Sequence, residues 1–128
     1  MVLAEDEPSL CQFLGELLEG EYAVETAMDG EQAWQAIEQE QPHLVLSNVD
    51  MPVLDGIGLL QRMRGSPATA AVPVLLISAR VNTVGLEKGS TDSANGWVQK
   101  PFKLADFLSQ VRALCPSPSA SAIEASQD

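Results

Sequence analysis

The chain has 128 residues, 45% of them hydrophobic, and its 18 acidic against 7 basic residues give a formal net charge of −11. Its length fits one globular domain, and no apolar run approaches the ~20 residues that cross a bilayer. The negative charge repels phosphate backbones and anionic lipid surfaces, so we expect this domain to bind neither nucleic acid nor membrane. The N-terminus lacks the basic and long apolar regions of a signal peptide, which indicates a cytoplasmic protein.

The chain alternates short apolar runs with segments of helical spacing. Pro8 suits a first helical turn, Gly20 suits a C-terminal stop, and Asp29 opens a second helix that must end before Pro42. Glycine and serine residues make the segment 82–95 a poor helix. In chain order the sequence predicts strand 1–5, helix 8–19, strand 22–27, helix from 29, strand 43–48, helix 57–64, strand 72–77, weak helix 82–95, strand 97–99 and helix 103–114.

Continuous apolar strands separated by helices predict an α/β fold, an open doubly wound parallel sheet with helices on both faces. In such sheets ligands bind outside the C-terminal ends of the strands. Carboxylates suit a hard divalent cation, and a hydroxyl and an ammonium suit a phosphoryl group. These residue types lie at the ends of the predicted strands at Glu5, Asp6, Ser78 and Lys100, and an amide, Asn48, lies at the end of the third strand.

Four sequence blocks, in this order and at these intervals, resemble the receiver domain of two-component response regulators. They are EDE at 5–7, LVLSNVDMPVLDG at 44–56, VPVLLISAR at 72–80 and QKPF at 99–102. The resemblance covers about residues 1–115 and implies a flavodoxin-like, five-stranded sheet of order 2-1-3-4-5. It also implies a signalling module and not an enzyme in the usual sense. The Ser/Ala/Pro-rich segment 116–128 is predicted to be a disordered tail or a linker remnant.

The resemblance implies a role for each residue at the strand ends. Glu5 and Asp6 match the acidic pair that holds Mg²⁺, and the backbone carbonyl of Asp50 matches a third metal contact. Asn48 falls where the family has its phosphate-accepting aspartate. The remaining matches are Ser78 with the hydroxyl switch residue, Trp97 with the switch aromatic, Lys100 with the phosphoryl-pairing lysine, and Lys100-Pro101 with a bond that is usually cis.

Asn48 decides which mechanism the sequence predicts. A carboxamide has no anionic oxygen, so it cannot attack phosphorus as an aspartate does. We therefore expect a pseudo-receiver that signals without phosphorylation and holds Mg²⁺ weakly or not at all. An ordinary phospho-accepting receiver with an engineered aspartate-to-asparagine change is the alternative, and phosphorylation at Asp50 is a minor one. A flavodoxin-like nucleotide-binding domain is disfavoured, because the loop after the first strand is acidic and not glycine-rich.

Less specific interpretations of the same residues stay open. The acidic run 5–7 could only favour a helix N-terminus, Lys100 could form a salt bridge with Asp6, and Trp97 could only pack. Cys11 and Cys115 are predicted to be ordinary reduced thiols. The resemblance implies a histidine kinase or phosphotransfer protein as partner. It also implies an output domain, a partner protein or a second copy of the chain, bound through the predicted helix 82–95, the fifth strand and the last helix.

Overall fold

A computed structural model describes residues 1–79 and 94–115, which form a parallel sheet with helices on both faces. The predicted weak helix over 82–95 falls mostly on residues 80–93, and the predicted tail begins at 116, so both lie outside the described residues. The strands are β1 (Val2–Ala4), β2 (Glu25–Ala27), β3 (Val45–Asn48), β4 (Val74–Ser78) and β5 (Gly96–Gln99). The helices are α1 (Pro8–Glu19), α2 (Gly30–Glu40), α3 (Gly56–Arg64) and α4 (Leu104–Leu114).

The strand order is β2-β1-β3-β4-β5, and every described pairing is parallel. The predicted flavodoxin-like order is therefore confirmed. Parallel pairing places the C-terminal ends of all five strands at one edge of the sheet, because each strand runs in the same direction. Residues from distant parts of the sequence meet at that edge.

Each strand sends alternate side chains to opposite faces, so the sheet separates two apolar cores. In β4, Val74 and Leu76 lie in the core that α2 and α3 cover, whereas Leu75 and Ile77 lie in the core that α1 and α4 cover. The helices contribute one buried stripe each, and residues of those stripes include Ala33, Ile37, Leu59, Met63, Leu14, Leu18, Phe107 and Val111. Burial on both faces explains why β4 is apolar throughout.

Acidic side chains cap three of the helices. The carboxylate of Glu7 accepts from the backbone N–H groups of Ser9 and Leu10 at the start of α1. Asp29 and Asp55 cap α2 and α3 in the same way, each through the N–H three residues later. A carboxylate at this position satisfies free backbone donors and favours the helix dipole, which fixes where each helix begins.

The loop between β3 and α3 carries a strained residue. Val53 has a φ of 70°, in the left-handed region, and its side chain is 80% exposed. A β-branched side chain is disfavoured there, and its exposure means that little packing offsets the strain.

We expect Val53→Asn to stabilise the protein by about 1 kcal/mol, because asparagine tolerates the left-handed region better than valine does. Urea denaturation measures the effect. Val53→Thr keeps the β-branch and serves as the control, with no gain expected. Equal stability of the asparagine and threonine variants would show that the backbone strain is not what limits stability here.

Candidate functional site

Asn48, at the last position of β3, is the centre of a hydrogen-bond cluster at the C-terminal edge of the sheet. Its side-chain Nδ2 donates to Asp50 O at 2.9 Å, to Asp6 Oδ1 at 3.1 Å and to Glu5 Oε2 at 3.3 Å. Asn48 is only 6% exposed, so these contacts form largely out of water. The structure thus brings the predicted acidic pair, the Asp50 carbonyl and Asn48 together.

Glu5 is the fully buried member of the acidic pair. One carboxylate oxygen, Oε1, forms an ion pair with Lys100 Nζ at 3.0 Å, and the other accepts from the Glu7 N–H at 3.1 Å. A buried carboxylate is costly unless it is paired and hydrogen-bonded, and Glu5 meets both conditions. The expected salt bridge of Lys100 forms, but its partner is Glu5 and not Asp6. The lysine reaches the inward-pointing Glu5, while Asp6 is part-exposed.

The acidic run at 5–7 divides into two roles. Glu7 caps α1, as the less specific interpretation expected for the whole run. Glu5 and Asp6 instead face the cluster around Asn48. Adjacent residues therefore serve the helix and the site separately.

The other predicted site residues lie on the neighbouring strands. Ser78 is fully buried at the end of β4, and its backbone carbonyl accepts from the Lys100 N–H at 2.7 Å. Trp97 is half-buried on β5, pairs in register with Leu76 and packs against the core under α2 and α3. The Lys100-Pro101 bond is cis, as the resemblance implied. Asp50 is exposed, and its backbone carbonyl accepts from Asn48 Nδ2.

Two features that support Asn48 were not predicted as site residues. Gly56 lies under the end of β3, where an added Cβ would come within 2.4 Å of Asn48 O. Ser47 Oγ donates to the same carbonyl at 3.0 Å. The Asp55-Gly56 pair, which ends the sequence block at 44–56, was the sequence signal for the close approach. Both contacts hold the backbone from which the Asn48 side chain extends.

Cys11 lies near the site but does not contribute a reactive group. Burial raises the pKa of its thiol, and the nearby carboxylates of Glu5 and Glu7 act in the same direction, whereas a hydrogen bond to Thr26 lowers it. A thiol whose pKa is raised stays protonated at neutral pH, and the thiolate is the nucleophilic form. Cys11 is free and buried, and Cys115 is also free.

The oxygen atoms of the cluster suit a hard divalent cation. Two carboxylates and one backbone carbonyl are the ligand types that Mg²⁺ takes. Among the described residues no third carboxylate, histidine or cysteine completes the group. The donor set therefore fits Mg²⁺ in kind, but all three oxygen groups are already hydrogen-bonded to Asn48 Nδ2.

The fold and the site together define a class: a doubly wound α/β domain with an acidic crevice at its strand ends, bordered by a lysine after a neighbouring strand. The chain belongs to the response regulator receiver domain family, whose model matches residues 1–112. Receiver domains of response regulators are signalling domains of two-component systems and not classical enzymes.

Individual relatives agree with this assignment. The chain is 34% identical over 115 residues to the DNA-binding response regulator MtrA of Mycolicibacterium smegmatis. The match covers 88% of this chain and 49% of that protein. The receiver domain of a signal transduction histidine kinase from Syntrophus aciditrophicus gives a TM-score of 0.80 at 27% identity, covering 88% of this chain and 86% of that one. The receiver domain of sensor histidine kinase PA1611 from Pseudomonas aeruginosa PAO1 gives 0.80 at 25% identity, with 88% and 93% coverage. That structure has a magnesium ion coordinated in its active site cleft.

The chain spans about half the length of the curated relatives that it matches. Because MtrA is named as DNA-binding, the expected absence of nucleic-acid binding stays a prediction that concerns this domain alone. In the described part of the chain, no helix has the length and apolar character that a membrane crossing requires.

Proposed function

We propose that this receiver domain signals through protein–protein contacts and without phosphorylation, because residue 48 does not accept a phosphoryl group. The observation that carries the proposal is the amide of Asn48, which lies in the acidic cluster at the end of β3 and donates to Glu5, Asp6 and the Asp50 carbonyl. By resemblance, Asn48 takes the place of the family's phosphate-accepting aspartate.

The chemistry of the amide supports the proposal. In the family's reaction an aspartate carboxylate attacks the phosphorus of a phosphohistidine and forms an acyl phosphate. The lone pair of the Asn48 nitrogen is delocalised into its carbonyl, and its N–H groups already point at acceptors. An amide used as a donor in this way offers no nucleophile to the phosphoryl group.

The remaining site residues keep reduced roles in this proposal. Glu5, Asp6 and the Asp50 carbonyl would hold Mg²⁺, which supplies neutralising charge when it binds. The binding is weak, because residue 48 adds no third carboxylate. Lys100 forms an ion pair with Glu5 in place of a phosphoryl group. Ser78 and Trp97 are the proposed switch pair on adjacent strands.

Acetyl phosphate with Mg²⁺, followed by intact-mass measurement, tests the proposal. We expect no mass gain for the wild-type chain and a gain of about 80 Da, one HPO₃ group, for Asn48→Asp. The aspartate variant is the positive control for the reagent. A wild-type gain that disappears in Asp50→Asn would identify Asp50 as the acceptor and overturn the proposal.

The proposed contact surface comprises β5, α4 and the segment 82–95, of which the structure describes the first two. Gln99 and Lys103 are exposed on this surface, and Leu104 is 40% exposed at the start of α4. An exposed leucine beside polar groups suits a protein interface, since it gains by losing contact with water. By resemblance the partners are a histidine kinase or phosphotransfer protein and an output domain, a partner protein or a second copy of the chain.

We expect Gln99→Ala combined with Lys103→Glu to weaken binding to such a partner by about tenfold, which corresponds to ~1.4 kcal/mol. Calorimetric titration of a purified kinase or output partner measures the change. Gln35→Ala with Gln39→Glu, on the exposed side of α2 near the opposite edge of the sheet, is the control. Equal binding by both double variants would place the interface elsewhere.

A further inference from the structure

The side chain of Asn48 is oriented by its surroundings. Among the described residues, the side-chain hydrogen bonds of Asn48 are all made by Nδ2, and the three acceptors are two carboxylate oxygens and one carbonyl oxygen. With the amide reversed, the partial negative Oδ1 would face the carboxylates of Glu5 and Asp6. The orientation in which Nδ2 faces them is therefore the stable one without a cation.

A divalent cation changes which end of the amide is favoured. A cation bound by Glu5, Asp6 and the Asp50 carbonyl would face the two partial positive hydrogens of Asn48 Nδ2, since those hydrogens point at the same oxygens. An asparagine carbonyl oxygen, by contrast, is a normal ligand of hard cations. The cation and the amide hydrogens compete for one set of oxygens, whereas the cation and Oδ1 attract each other.

We propose that a hard divalent cation such as Mg²⁺ enters this pocket together with a half-turn of the Asn48 amide, which makes Oδ1 a further cation ligand. Asn48 is then a two-position side chain: a hydrogen-bond donor to the acidic pair without the cation, and an oxygen ligand with it. The inference rests on the proposed assignment of Glu5, Asp6 and the Asp50 carbonyl as the other ligands.

The half-turn requires little rearrangement of the chain. The terminal torsion of asparagine joins a tetrahedral to a planar carbon and is broad and roughly two-fold, so both positions are accessible without a strained rotamer. No hydrogen bond of Asn48 Oδ1 to the described residues is lost in the turn. The cost is the three Nδ2 contacts, and the cation must offset them. The cation is therefore bound weakly, and Oδ1 is the atom of the amide that binds it.

Calorimetric titration of Mg²⁺ into three forms of the protein tests the proposal. If Oδ1 is a ligand, affinity falls in the order Asn48→Asp, wild type, Asn48→Ala, and the alanine variant binds at least about tenfold more weakly than the wild type. If Asn48 only blocks the pocket with its N–H groups, Asn48→Ala binds more tightly than the wild type. The sign of the alanine effect separates a ligand from an obstacle, and tighter binding overturns the proposal.

The wild-type chain provides a second measurement that does not depend on any variant remaining folded. In ¹⁵N–¹H spectra we expect the side-chain amide resonances of Asn48 to shift as Mg²⁺ is added. The dissociation constant from this titration should equal the one from calorimetry. The side-chain amide of Asn95, whose Oδ1 accepts from Val74 N and Arg64 Nη2, is the internal control and should not shift. Cation binding without a change at Asn48, or no cation binding at all, overturns the proposal. Neither result bears on phosphorylation, which the acetyl phosphate experiment tests separately.

Discussion

Asn48→Asp is expected to lower the stability of the cation-free protein by about 3 kcal/mol at neutral pH. The change removes a donor to Glu5, Asp6 and the Asp50 carbonyl and places a third carboxylate beside the first two. Two charges about 5 Å apart repel by roughly 3 kcal/mol at an effective dielectric of ~20. The ammonium of Lys100, at 3.0 Å from Glu5, offsets part of this repulsion. For a domain of this size the loss corresponds to a melting temperature lower by roughly 10–20 °C.

Mg²⁺ should reverse the loss in the aspartate variant and have little effect on the wild type. A ligand that binds only the folded state stabilises it by about 2.7 kcal/mol at a hundred times its dissociation constant. Thermal unfolding with MgCl₂ and with EDTA measures both forms. Asn48→Asp combined with Asp6→Asn is the charge-matched control, because it keeps two carboxylates and one amide in the pocket. Melting temperatures that do not change with Mg²⁺ in either the wild type or Asn48→Asp would refute the repulsion argument.

The fold could be predicted because its signals are local and periodic. Pro8 and Gly20 bound α1 as the sequence indicated, and the apolar run of β4 fixed a strand buried on both faces. The strand predicted at 22–27 is shorter in the structure, because Tyr22 is held at the end of α1. Its backbone N–H donates to Leu18 O, and its hydroxyl donates to Cys115 O at 2.6 Å. The contact with Cys115 joins residues 93 positions apart, so it leaves no mark in a window of neighbouring residues.

That Glu5, Asn48 and Lys100 lie close together at one edge of the sheet could be predicted, but their pairing could not. Parallel strands end at one edge, so Glu5, Asn48 and Lys100 had to be neighbours once the strands were assigned. Which carboxylate receives Lys100 depends on which side chain points inward at the end of β1, and Glu5 rather than Asp6 does so. The face of β5 on which Trp97 lies could be predicted from period-two alternation. Val98 lies in the core under α1 and α4, so its neighbour Trp97 must face the other core.

The orientation of the Asn48 amide lay beyond sequence reasoning for a different reason. Sequence identifies an amide near two carboxylates, but the choice between its oxygen and its nitrogen depends on the positions of all three acceptors. The left-handed φ of Val53 is similarly set by the tight path between β3 and α3 and runs against the preference of a β-branched residue. Both departures occur in or beside the site, where tertiary contacts override local preference.

Gly56→Ala is expected to destabilise the protein by about 3 kcal/mol, at the upper end of the usual cost of overpacking. Its new Cβ would lie 2.4 Å from Asn48 O and 2.9 Å from Val49 Cα, and both are backbone atoms that cannot turn away. The Gly56 N–H also donates to Val49 O at 2.8 Å, so separating the two segments would weaken a hydrogen bond that joins α3 to the end of β3. The free energy of unfolding in urea measures the loss.

Gly65→Ala is the matched control, because it is the same chemical change at the other end of α3. An added Cβ there meets Gln61 O at 3.4 Å, an ordinary contact, and the φ of −84° is one that alanine adopts readily. Alanine also has fewer unfolded conformations than glycine, so we expect no loss or a gain of about 0.5 kcal/mol. Equal destabilisation by both variants would contradict the close approach under Asn48. Opposite signs would show that Gly56 is required because the site backbone lies directly above it.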